Sequence, residues 1–210
     1  MDVIRSNILS ISSIFYHFRP KYTMLTLSLH EGDPGHHLQG SHAIESPDYP
    51  FFRRVMEDRN YGMAPSRFPM YTYYVEGWGL YAESLGFDMN LYGHYSEEIF
   101  RACRLVVDTG MHALGWSREE AIQYMLRNSA STRGEIEVEV DRYITWPGQA
   151  LAYKMGQLRF SELRAKSEDE LGDLFDIKDF HETILDSYGS FDVVESEVDK
   201  WIEETLSNNS

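Results

Sequence analysis

Leu29-His30-Glu31-Gly32-Asp33-Pro34-Gly35-His36-His37-Leu38-Gln39 (LHEGDPGHHLQ) packs three histidines and two acids into eleven residues. It follows an apolar-rich, helix-like run and opens on His-Glu. In a helical His-Glu-x-x-His zinc motif the imidazoles stand four residues apart and share one face. Here the fourth residue after His30 is Pro34. Proline has no amide hydrogen, and its ring would clash with the carbonyl of His30. Gly32 and Gly35 loosen the backbone further. A helix is therefore expected to break inside residues 32–35, and helical arithmetic fails across the break. On an unbroken helix His37 would return to within roughly 20° of His30 and His36 would point away; across a break either can face it. Spacing alone leaves open both a metal site, since neutral imidazole is the commonest zinc ligand, and a Gly-Asp-Pro-Gly turn flanked by histidines.

A third ligand would decide between them. Tyr71 to Glu83 (YTYYVEGWGLYAE) reads as a helix with carboxylates at Glu76 and Glu83, seven apart and on one face. The remaining residues are aromatic and apolar, so an inward carboxylate is costly unless it is paired or bound to metal. Val75, Trp78 and Leu80 favour Glu76 as the inward acid and leave Glu83 as the better candidate for a solvated stripe.

The rest of the chain is read as helical. Residues 96–115 form a helix with Ser96 as a candidate cap and Gly115 as its end. Ser117-Arg118-Glu119-Glu120 is a capping-box pattern opening a helix over roughly 118–130. A third runs over roughly 134–145, and Pro147 is suited to start the next. Residues 178–187 and 192–206 give two more, with Asp192 a candidate cap. Residues 46–70, holding Pro47, Pro50, Pro65 and Pro69, read as a long connection with one short helix near 51–60. No alternating β pattern is convincing, so the fold class is mainly α.

The 210 residues bound a single helical domain, with residues 1–18 an atypical lead-in. One cysteine, Cys103, rules out an intramolecular disulfide. A net charge of −15 argues against nucleic-acid binding, which needs a basic face. There is no apolar run long enough to span a membrane. The N-terminus lacks a continuous apolar centre and a small-residue cleavage site, so it is not read as a signal peptide; the compartment stays unspecified. A di-iron carboxylate reading fails because neither Glu76 nor Glu83 is followed by histidine three residues on.

Four stretches in order, LTLSLHEGDPGHHLQ, YYVEGWGLYAE, RLVVDTGMHALGWSREEAIQYM and EVDRYITWPGQALAYKMG, resemble a mostly bacterial family known as domain of unknown function 885. The resemblance runs from about residue 19 to the C-terminus. Many members are described as lipoproteins and are often exported. The family is grouped with HExxH-clan zinc metallopeptidases, in particular the helical oligopeptidase and angiotensin-converting-enzyme types. The resemblance implies Zn²⁺ held by His30, His36 and Glu76. Gly35-His36 matches a Gly-His pair in those relatives, which favours His36 over His37, and two extra residues precede it here. Glu31 is the implied general base for a zinc-activated water, and Tyr153 or His112 the implied oxyanion donor, with Gln149 one turn before Tyr153. Asp108 is placed to fix the His112 tautomer or to pair with Arg104, and Arg142 and Lys154 to meet a substrate carboxylate.

The implied activity is hydrolysis of short peptides or chain ends. Family members are longer, with a helical half ahead of the His-Glu motif, so this chain is expected to represent the second, metal-binding half of the full fold. A truncated chain of that kind would expose apolar surface and self-associate or bind a partner through it. The alternative is a non-catalytic helical module that keeps metal or partner binding.

Overall fold

In a computed structural model, residues 21–47, 49, 72–89, 92–187 and 189–209 are described. Nine α-helices are formed among them: α1 (Lys21–Glu31), α2 (His36–Glu45), α3 (Thr72–Leu85), α4 (Tyr92–Ala113), α5 (Arg118–Asn128), α6 (Arg133–Thr145), α7 (Ala152–Leu171), α8 (Ile177–Asp186) and α9 (Phe191–Asn208). No strand occurs among the described residues, as a mainly α reading requires. The short helix expected near 51–60 and the lead-in 1–18 lie outside them.

Local capping signals set the starts of α5 and α6. Ser117 and Glu120 close the expected capping box, with the Ser117 N–H donating to Glu120 Oε2 at 2.7 Å and the Glu120 N–H to Ser117 Oγ at 3.3 Å. Thr132 and Glu135 form a second such box at the start of α6. Each satisfies amide donors that a helix start leaves orphaned. Other boundaries move. α4 begins at Tyr92, one turn before Ser96, so Ser96 is not its cap. α9 begins at Phe191 after Ser190, and Asp192 sits in its first turn.

Pro147 does not start a helix either. Gly148 takes a left-handed conformation, φ +81°, and donates its N–H to both carboxylate oxygens of buried Asp108 at 3.1 and 3.2 Å. That anchor holds residues 147–148 in a turn. A short 3₁₀ segment, Gln149–Leu151, then leads into α7.

Two apolar clusters form the core among the described residues. One joins α3, α7, α8 and α9 through Tyr74, Trp78, Phe160, Phe180, Val194 and Val198. The other joins α4, α5 and α6 through Val107, Ile122, Met125, Ile136 and Val140. The backbones of α3 and α7 meet at Gly77 and Gly156: a Cβ on Gly77 would stand 2.5 Å from Gly156 Cα, and one on Gly156 would strike the Tyr73 carbonyl. Glu76 and Tyr153 flank this crossing.

Candidate metal centre

The expected break after His30 is present. α1 ends at Glu31 and α2 restarts at His36. Trp78 Nε1 donates to the Pro34 carbonyl at 2.8 Å and ties the break to α3. Gly35 is required there, because a Cβ would collide with the carbonyl oxygens of Leu29 and His30. The turn brings the His36 ring to 4.6 Å from the His30 ring, centroid to centroid, edge to face. His37 is exposed. The break therefore selects His36 as the imidazole beside His30.

Glu76 on α3 completes the group. One of its oxygens, Oε2, lies 3.7 Å from His30 Nε2 and 3.3 Å from His36 Nε2. One ligand atom from each of the three residues falls within 4.8 Å of the others. Tetrahedral zinc with bonds of about 2.0–2.1 Å places its ligand atoms roughly 3.3 Å apart, so the Glu76–histidine separations suit a small divalent cation. His30, His36 and Glu76 could thus hold a metal ion.

The electrostatics favour an ionised Glu76 and, without a metal, a protonated His30 whose proton a bound cation would displace. Burial alone would raise the Glu76 carboxyl pKa, but hydrogen bonding to His30 and His36 outweighs it and holds the group well below the usual carboxylate range. Burial alone would lower the His30 pKa, but Glu76 and Glu83 outweigh it and raise it. The acid is thereby kept ionised, as ligation requires.

Glu83 is the residue that sequence reasoning placed wrongly. It is not on a solvated stripe: it is 0% exposed. Its Oε1 lies 2.7 Å from His30 Nδ1 and 3.5 Å from Arg101 Nη2. The shared face of Glu76 and Glu83 carried the signal, but the aromatic neighbours pointed to only one of the two. A carboxylate on the far nitrogen of a ligating histidine fixes the ring and raises its basicity. Gly79 was also missed. A Cβ there would come within 2.7 Å of His30 Cε1, so the glycine makes room for the ring.

Tyr153 stacks near His30, with ring centroids 6.4 Å apart. Its hydroxyl accepts from Arg142 Nη2 at 3.1 Å and from Gln149 Nε2 at 3.3 Å. Gln149 Nε2 also reaches Glu76 Oε1 at 3.5 Å. The buried Arg104 guanidinium lies 4.4 Å over the Tyr153 ring.

The other sequence candidates have these surroundings. His112 is exposed and its Nε2 lies 3.0 Å from the Tyr143 carbonyl oxygen. Asp108 neither holds His112 nor pairs with Arg104, because it accepts from Gly148. Arg104 instead donates to Tyr143 Oη at 2.9 Å and to Glu139 at 2.8 Å. Lys154 is engaged by Glu98 at 2.5 Å and by Gln157 at 2.6 Å. Glu31 is exposed at the end of α1.

The chain is thus a helical protein in which a broken helix and α3 bring two histidines and a glutamate together. The chain belongs to the family described as bacterial protein of unknown function (DUF885), whose model matches residues 7–192, a start earlier than the sequence motifs indicated. It is also similar to the crystal structure of the putative lipoprotein from Colwellia psychrerythraea, with 36% identity and a TM-score of 0.78 over 88% of this chain. The match spans 31% of that protein's chain. No curated protein matches the chain. No helix among the described residues is long and apolar enough to cross a membrane.

Proposed function

We propose that this chain carries the metal-binding part of a zinc-dependent hydrolase that cleaves short peptides or chain ends. The observation that supports it is the convergence of His30, His36 and Glu76 with Glu83 behind His30. A zinc ion bound there would supply an acidified water and a polarised scissile carbonyl. Glu31, next to His30 in sequence, would take a proton from the attacking water and deliver it to the leaving amine. Tyr153 is the better of the two oxyanion donors. Its hydroxyl accepts two hydrogen bonds, which leaves its own proton to donate. Such a donor contributes about 3 kcal/mol in comparable sites. The His112 ring is bonded to a backbone carbonyl instead.

A second reading, a non-catalytic helical module that keeps the metal, is supported by the exposure of Glu31. Metal analysis and turnover of a peptide panel separate the two. The expected result is one equivalent of zinc in the wild type, lost in His30→Ala and Glu76→Ala. Turnover should fall by about 10²–10⁴-fold in Glu31→Gln with zinc retained. Full zinc without turnover would leave the second reading, and equal zinc in all three proteins would remove the metal site.

A further inference from the structure

The residues around Tyr153 do more than hold its hydroxyl. Arg142 spends only one of its nitrogens on the site: Nη2 donates to Tyr153 Oη and Gln149 Oε1, both at 3.1 Å. Among the described residues its Nη1 has only a loose contact with Glu139, at 3.6 Å. The side chain is 37% exposed, and the indole of half-exposed Trp146 lies 5.9 Å from the guanidinium. Behind it, Arg104 is 5% exposed and its Nη1 has no hydrogen-bond partner among the described residues. Glu139 is shared between the two arginines. One acid therefore faces two guanidiniums, within a chain whose net charge is −15.

A guanidinium with a free, solvent-facing edge is suited to a planar carboxylate. From these contacts we infer that Arg142, backed by Arg104, receives a carboxylate of the ligand that lies across the His30–His36–Glu76 group. This deepens the peptide reading above and rests on it for the identity of the ligand. Gln149 links the two places. It accepts from Arg142 at 3.1 Å and reaches Glu76 at 3.5 Å. With the width of one amide added, the guanidinium stands at most roughly 9 Å from Glu76, or about one to three residues of extended chain. The carboxylate then belongs either to the C-terminus of a short peptide or to an acidic side chain near the cleavage point. Lys154, the other basic residue considered, is excluded by its bonds to Glu98 and Gln157.

The test is calorimetric binding to metal-free protein, so that it reads the arginine and not turnover. Three N-acetylated tripeptides serve as probes: a free acid, its C-terminal amide, and an amide ending in glutamate. The free acid is expected to bind at least tenfold tighter than its plain amide. Arg142→Ala should abolish that ratio, Arg142→Lys should reduce it, and Lys154→Ala should leave it unchanged. Tight binding of the glutamate amide would assign the carboxylate to a side chain; weak binding would assign it to the chain end. Equal or undetectable binding of acid and plain amide by the wild type, with no tighter binding of the glutamate amide, would overturn the inference. So would an unreduced ratio in the folded Arg142→Lys protein, or loss of the ratio in Lys154→Ala. Absence of zinc or of hydrolysis with the acid preference intact would instead defeat only the hydrolase reading.

Discussion

Of two acid–histidine pairs, the one that sequence spacing suggests is not the one that forms. Glu83 serves His30 across helices, while Asp108 and His112 share one helix at the favourable four-residue spacing. The long-range pair forms, at 2.7 Å, with the acid fully buried. The short-range one does not: Asp108 takes the Gly148 amide and His112 the Tyr143 carbonyl. A buried acid needs a hydrogen-bond donor, and a neighbouring element can supply it. At α3 that donor is an imidazole seated in the space left by Gly79. At α4 it is the amide of a left-handed turn. Spacing along one helix creates an opportunity, and the neighbouring element decides whether it is used.

The comparison is broken most severely by removing Glu83. Glu83→Ala would leave Arg101 and His30 without their buried carboxylate, at a cost of about 3–5 kcal/mol. The milder Glu83→Gln should lower zinc affinity about 10–100-fold in a chelator competition. His112→Ala should leave zinc affinity unchanged and reduce stability by no more than about 1 kcal/mol.

Gly79→Ala tests the space rather than the charge. The added methyl group meets the His30 ring, so the variant should lose about 1–3 kcal/mol in urea denaturation and bind zinc more weakly. The equivalent change at Gly134, where a Cβ meets nothing within 4 Å, should do neither.

The smallest effect concerns a third histidine. His181 lies 3.0 Å from the Tyr81 hydroxyl and packs on Trp78. Burial and then the Arg164 charge depress its pKa to about 4. A depressed histidine binds its proton less readily folded than unfolded. Its stabilising contribution is therefore complete above the unfolded value near 6.5 and is lost as pH falls towards about 4. Metal-free wild type should lose on the order of 1–2 kcal/mol more than His181→Gln over that window, allowing for screening of a half-buried ring. Parallel loss in both proteins would show that His181 does not titrate this way.

Much of this was legible from residues alone. Pro34 and Gly35 announced the break, Ser117 and Glu120 a cap, and the 7-residue spacing of Glu76 and Glu83 a common face. Other features were hidden because their partners are remote in sequence. Glu83 is buried because His30 and Arg101 arrive from two other helices. The Pro147 turn persists because Asp108, forty residues away, binds Gly148. The break allowed either His36 or His37, and only the path of the chain over Trp78 selected one.

The meeting of Gly77 with Gly156 acts as a caliper. Because Glu76 adjoins one jaw and Tyr153 lies one turn from the other, the gap between acid and phenol is set by backbone against backbone, not by adjustable side chains. Enlarging either jaw by a single carbon would pry the two apart together, so this stretch can be retuned only by moving whole helices.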